Sequence, residues 1–107
     1  MNEIHIRCTN DWISQLEALS GLFPSATYIK YLLNKSLDMD LKTLLDDLKG
    51  INLDKDVPRD KRFNIKDYAN KDRVSNLAAF CGESVTDYVI KICLIRLKKR
   101  EESKKEG

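Results

Sequence analysis

Hydrophobic and polar residues alternate in two short segments of this chain, residues 3–8 and residues 62–66. A period of two predicts a β-strand with one buried face in each segment. The two segments match position for position, with Phe63 in the place of Ile4. Each predicted strand therefore has an apolar face for a core and a polar face for solvent or a partner.

An amphipathic helix, a turn with glycine and a second helix follow each predicted strand. In the first unit, apolar residues recur at helical spacing over residues 12–19, Gly21 ends this helix, and a second helix begins at Ser25. In the second unit, Gly82 takes the place of Gly21, and Ser84 opens a capping box for the last helix. The apolar face predicted for the first helix of the second unit consists of Val74, Leu77, Ala78 and Phe80.

Residues 3–37 and residues 62–97 thus repeat one strand-helix-helix unit. A unit of this size is too small to bury an adequate core alone, so the two units are expected to share one. The last helix supports a shared core, because it is apolar around most of its circumference and must be buried on most sides. We predict a first unit at 1–37, a connector helix and linker at 38–61, a second unit at 62–100 and a charged tail at 101–107, all in one compact domain.

The connector contains leucines at helical spacing, for which two interpretations are open. A helix that packs on the core is favoured over a docking surface for another protein. The leucines are Leu41, Leu44, Leu45 and Leu48. Several aromatic residues are expected in the core or at its edge, namely Trp12, Tyr28, Tyr31 and Tyr88.

The net charge of +2 is unevenly distributed along the chain. Residues 1–50 carry 5 Lys or Arg against 7 Asp or Glu, whereas residues 51–107 carry 14 against 10. The basic second half permits a polyanionic partner but does not require one.

Cysteine usage and the missing motifs narrow the class of protein. Cys8, Cys81 and Cys93 show no C-x-x-C spacing, which predicts buried free thiols and no metal site. The sequence shows no leader pattern and no apolar run near the roughly 20 residues that cross a bilayer. A cytoplasmic protein without membrane contact is therefore expected. A single histidine, no paired acid and base and no glycine-rich phosphate loop predict no catalytic residue, no cofactor and no enzyme.

The last helix opens with a recognisable motif, G-x-S-x-T-D-Y-V-I-K from Gly82 to Lys91. With the preceding strand and helix, this motif resembles the ribbon-helix-helix family of DNA-binding proteins, of the Arc and MetJ type. The resemblance covers both units and is more specific in the second, since the first has Leu-Phe-Pro before Ser25. It implies a mostly α fold with a two-stranded antiparallel ribbon. The doubling implies a tandem pseudo-dimer in one chain, similar to conjugation proteins of the TraY type, with a swapped dimer of two chains as the alternative.

In that family the ribbon enters the major groove of double-stranded DNA, and its outward side chains contact base edges. Carried over by position, the base-contacting residues are Glu3, His5, Arg7, Arg62, Asn64 and Lys66. Phosphates are expected at the N-termini of the second helices, where backbone N–H groups are free. The matching phosphate-contacting positions are Ser25, Ala26, Ser84 and Val85. A solvated polar face and simple helix caps are the alternatives for these two sets.

The resemblance implies a transcriptional regulator of a plasmid or mobile element, with a relaxosome accessory protein at an origin of transfer as the alternative. An antitoxin ranks lower, because few residues lie outside the two units. A helical protein-interaction module also ranks lower, because it leaves both matched strands unexplained. His5 and Arg7 differ from Asn64 and Lys66, so one chain is expected to read a short non-palindromic site. The expected partners besides DNA are further copies of the chain on adjacent sites, and a relaxase or other protein.

Overall fold

The structure is a computed structural model that describes residues 2–106, with side chains as far as Ser103. Its elements in chain order are β1 (Ile4–Cys8), α1 (Asn10–Ser20), α2 (Ser25–Leu37), α3 (Leu41–Lys49), β2 (Lys61–Ile65), α4 (Lys71–Phe80) and α5 (Val85–Glu106). The predicted fold class is confirmed at this level, since the described chain is mostly α-helical with one two-stranded antiparallel sheet.

The two strands pair with each other as an antiparallel ribbon, although three helices lie between them in the chain. Ile4 is opposite Ile65, and Ile6 is opposite Phe63. Because successive side chains of a strand point to opposite faces, these apolar residues share the inner face of the ribbon. That face packs on the helices and leaves the other face to solvent.

Helix α5 is the centre of the fold, because it contacts α1, α2, α3, α4 and β1. Tyr88, Val89 and Cys93 of α5 are completely buried. The Tyr88 hydroxyl donates to Ser36 Oγ at 2.7 Å, and Ser36 Oγ donates to the carbonyl oxygen of Leu33 at 2.6 Å. Residues from both repeated units therefore belong to one hydrophobic core.

The turns after the first helix of each unit depend on glycine. Gly21 has a φ of 59° and Gly82 a φ of 76°, a region that side chains with a Cβ rarely adopt. The first helix of each unit is thus followed by the glycine that the sequence pattern predicts.

The start of α1 is capped by a side chain. Thr9 Oγ1 accepts a hydrogen bond from the backbone N–H of Trp12 at 3.1 Å.

Phe80, expected on an apolar face, and Tyr31, expected in the core or at its edge, are both exposed. Phe80 is 69% exposed, because it lies about 200° around helix α4 from the buried Ala78. Tyr31 is 51% exposed, because it lies about 200° around helix α2 from the buried Ile29. The predicted apolar face was therefore wrong for Phe80, and Tyr31 lies outside the core.

The connector helix α3 packs against α5. Its start is capped by Asp40, whose carboxylate accepts from the backbone N–H of Thr43 at 3.2 Å. Leu44 and Leu48 are buried, whereas Leu41 is 39% exposed. This arrangement favours the interpretation of the leucines as a connector that packs on the core.

The last helix is longer than the sequence pattern indicates. Helix α5 continues through most of the predicted charged tail, as far as Glu106, and Gly107 lies outside the described residues. The described part of the tail therefore extends α5.

Candidate nucleic-acid interface

The residues predicted to contact bases lie together on or beside the outward face of the ribbon. Four of them, His5, Arg7, Arg62 and Asn64, are exposed residues within β1 and β2. The other two, Glu3 and Lys66, flank the strands and line the same small hollow, with Glu3 half-buried and Lys66 exposed. The antiparallel register thus makes one continuous polar surface from two segments that are distant in the chain.

Two arginines face each other on this surface. Arg7 of β1 is directly opposite Arg62 of β2, and both side chains are exposed. Like charges at directly opposed positions destabilise a sheet. A polyanion bound over the pair would relieve this repulsion.

The central pair of the ribbon is His5 and Asn64, which are directly opposite and hydrogen-bonded to each other. His5 Nδ1 lies 2.8 Å from Asn64 Oδ1, so a protonated Nδ1 donates to the amide oxygen. His5 Nε2 lies 3.7 Å from a carboxylate oxygen of Glu3. The bond occupies one lone pair of Asn64 Oδ1 and leaves its NH₂ group free to donate. These two residues form a coupled unit, which their separation in the sequence does not reveal.

The inner face of the ribbon packs against aromatic and aliphatic residues of the core. Phe63 meets the ring of Trp12 edge to face, with centroids 5.5 Å apart. Trp12 Nε1 in turn donates to the backbone oxygen of Ile90 in α5 at 3.3 Å. Cys8 is completely buried at the end of β1, and burial raises the pKa of its thiol although the positive charge of Arg59 lowers it. The outward side chains therefore project from a ribbon whose inner face is packed on the core.

The N-terminus of α2 is the first of the two predicted phosphate positions. The helix begins at Ser25 after Pro24, and no side chain caps it. Ser25 is thus the first helical residue and not the cap, which corrects the capping alternative for this position. Ser25 and Ala26 are half-buried, and the first turn contains no acidic residue. Its free backbone N–H groups suit an anion.

The N-terminus of α5 is the second predicted position and is built differently. Ser84 Oγ accepts from the backbone N–H of Asp87 at 3.1 Å, as the capping-box pattern predicts. The Asp87 carboxylate does not return to the cap but accepts from Arg59 Nη1 at 2.8 Å. Val85 is half-buried beside them. An anion here would meet a capped helix with a neutralised carboxylate, so the two helix starts are not equivalent.

Sequence reasoning missed Arg59, which comes from the linker and reaches α5. A Pro-containing segment without periodicity gave no signal for this contact. Within the described side chains, no group of three or more His, Cys, Asp or Glu is arranged to hold a metal ion. None of the described helices has the length and apolar character needed to cross a bilayer.

Comparisons with models of protein families, with curated proteins and with solved structures gave no match to this chain.

Proposed function

We propose that this chain binds double-stranded DNA sequence-specifically, with the outward face of the ribbon in the major groove, and regulates transcription of a plasmid or mobile element. One observation carries the proposal: the exposed face of the ribbon places Arg7 directly opposite Arg62. Arginine is the side chain that pairs best with phosphate and with the guanine edge. The repulsion within this opposed pair destabilises the free protein and is relieved when a polyanion binds.

The dimensions of the ribbon support this placement. Each strand has 5 residues, which is about 17 Å of extended chain, and paired strands lie about 4.8 Å apart. A major groove about 12 Å wide admits such a ribbon with its side chains. The groove floor would then meet the coupled pair His5 and Asn64 at the ribbon centre.

A tandem ribbon-helix-helix pseudo-dimer is the finer fold that we propose. By the repeat, Ile4 corresponds to Phe63 and Ile6 corresponds to Ile65. Pairing Ile4 with Ile65 and Ile6 with Phe63 is what a two-fold axis through the ribbon centre would produce. The register thus supports two related units in one chain.

The same register supports reading of an asymmetric DNA element. His5 and Asn64 are counterparts by the repeat, as are Arg7 and Lys66, yet the members of each pair differ chemically. Two identical chains would present the same residue at both positions. A single chain therefore contacts the two halves of its site with different donors and acceptors.

The test compares ribbon variants with a charge-matched control. Arg7→Gln and Arg62→Gln are each expected to weaken binding to footprinted fragments of the protein's own genomic neighbourhood by roughly tenfold or more. Lys42→Gln removes the same charge from the exposed surface of α3 and is expected to leave the affinity unchanged. Affinities are measured by fluorescence anisotropy over a series of salt concentrations, because phosphate contacts give a steep salt dependence.

Equal affinities for the two ribbon variants and the Lys42→Gln control would contradict the proposal. The asymmetry is tested on the same fragment by replacing each half of the footprint with the inverted copy of the other half. Both palindromic sites are expected to bind more weakly, and undiminished binding to either one would refute an asymmetric site.

A further inference from the structure

An open groove of about 770 Å³ lies between α2 and α5. On the α2 side it is lined by one face of the helix from Thr27 to Ser36 and by Met39 beyond the end of α2, and on the α5 side it follows Ile92 to Lys99. At about 1.5 Å per residue, the α2 side is roughly 14 Å long, which matches about two and a half turns of a docked helix. No residue of β1 or β2 lines the groove, so it is separate from the ribbon face.

The groove combines an apolar floor with aromatic side chains at its edge. Leu32, Ile92 and Ile95 contribute to the floor and are nearly buried. Tyr31 is 51% exposed, and Phe23 from the turn before α2 is 68% exposed. Contiguous apolar surface of this kind on a small protein indicates a binding site for another molecule.

All the charged residues that line the groove are basic. They are Lys35, Arg96 and Lys99. Lys99 pairs with Asp47 of α3 at 2.9 Å, and Lys35 Nζ lies 5.1 Å from the centre of the Tyr31 ring. Arg96 is exposed and has no ion pair among the described side chains. The groove therefore complements an occupant that is apolar on one side and acidic at its edges.

Two other occupants fit this chemistry less well. A second copy of the chain docked by two-fold symmetry would bring two sets of the same cations together, which is unfavourable. Duplex DNA would satisfy the cations but offers no apolar ridge for the floor. An amphipathic helix satisfies both requirements, because apolar side chains at positions i, i+3, i+4 and i+7 fill such a groove.

We propose that the groove between α2 and α5 binds an amphipathic helix of a partner protein that carries Asp or Glu beside its apolar face. Apolar anchors of the partner lie on Leu32 and Ile95, and its carboxylates pair with Lys35 and Arg96. The exposed Tyr31 is then covered. The groove and the ribbon use different residues, so a variant of one surface can be tested for its effect on the other.

The probe is a fluorescein-labelled peptide of about 14 residues, roughly four helical turns, with Leu on one face and Glu on the flanks. A matched peptide has Lys in place of each Glu. The full chain is expected to bind the Glu peptide at least tenfold more tightly than the Lys peptide. Tyr31→Glu and Arg96→Glu are each expected to weaken binding of the Glu peptide at least tenfold. The control Phe80→Glu changes an exposed aromatic residue outside the groove and is expected to have no effect.

Circular dichroism verifies that each variant is folded, and DNA anisotropy separates this proposal from the function proposed above. Tyr31→Glu is expected to bind DNA as the unchanged chain does. The result for the Glu peptide is therefore independent of whether Arg7→Gln and Arg62→Gln weaken DNA binding. The proposal is overturned if the Glu peptide does not bind, or if it binds no better than the Lys peptide. It is also overturned if sedimentation shows a dimer that Tyr31→Glu dissociates, or if Arg96→Glu weakens DNA binding as much as Arg62→Gln.

Discussion

Single residues of the ribbon have roles that depend on their partners across the strands. The alternation in the sequence predicts that His5 and Asn64 are exposed, and both are. It does not predict that they are hydrogen-bonded to each other, because the register between strands is a tertiary property. The same applies to Arg7 and Arg62, whose opposition depends on that register.

The predicted burial of the cysteines is confirmed for two of the three. The sequence predicts buried free thiols for all three, and Cys8 and Cys93 are completely buried. Cys81 is only half-buried, because it ends α4 at the turn before α5. Burial raises the pKa of Cys93 to about 12.

The raised pKa of Cys93 predicts a loss of stability at high pH. Above pH 9, the unfolded chain loses this thiol proton whereas the native chain keeps it until about pH 12. The free energy of unfolding should therefore fall as pH rises from 9 to 12, by about 2 kcal/mol at pH 10.5 from this group. Urea unfolding at pH 8 and pH 10.5 measures the change, and Cys93→Ala should show a smaller one. An equal pH dependence in both proteins would contradict the assignment to Cys93.

At the scale of elements, periodicity located the strands and helices, and the remaining errors concern which face is buried. The strands and the helices after them were found within a few residues, because each has a clear period and a breaker such as Gly21 or Gly82. Phe80 and Tyr31 were misplaced, because a short helix with many apolar residues has more than one plausible apolar face. Packing on α5 selects the face.

The connector helix α3 provides a test at this scale. Leu44 and Leu48 are 1% and 2% exposed, so truncation of either leaves a cavity against α5. Leu44→Ala and Leu48→Ala are each expected to lower the free energy of unfolding by about 2–5 kcal/mol. Leu41→Ala, at a residue that is 39% exposed, is the matched control and should cost much less. Urea unfolding measures all three, and equal small losses would favour the docking interpretation of these leucines.

At the scale of the whole molecule, the two units are joined into one core. Trp12 of the first unit contacts Phe63 and the backbone of Ile90 in the second. Tyr88 of the second unit donates to Ser36 of the first. Neither unit buries its apolar surface without the other, as their small size indicates.

This shared core predicts a single cooperative unfolding transition. Trp12 fluorescence reports the contact between units, and far-ultraviolet circular dichroism reports the helices of both. The two signals are expected to change at the same urea concentration. Sedimentation should give the mass of one chain, because β1 and β2 pair within it. Separate transitions would show that the units fold independently, and a dimer mass would favour the swapped arrangement.

Local periodicity and turn residues are enough to predict the elements, the doubling and the set of polar residues on the outer face of each strand. The strand register, which couples His5 to Asn64 and opposes Arg7 to Arg62, arises only when the strands pair in the folded chain. The tertiary structure also brings Arg59 to Asp87 and opens a basic apolar groove between α2 and α5. These features arise from contacts between residues far apart in the chain, and no local pattern encodes such contacts.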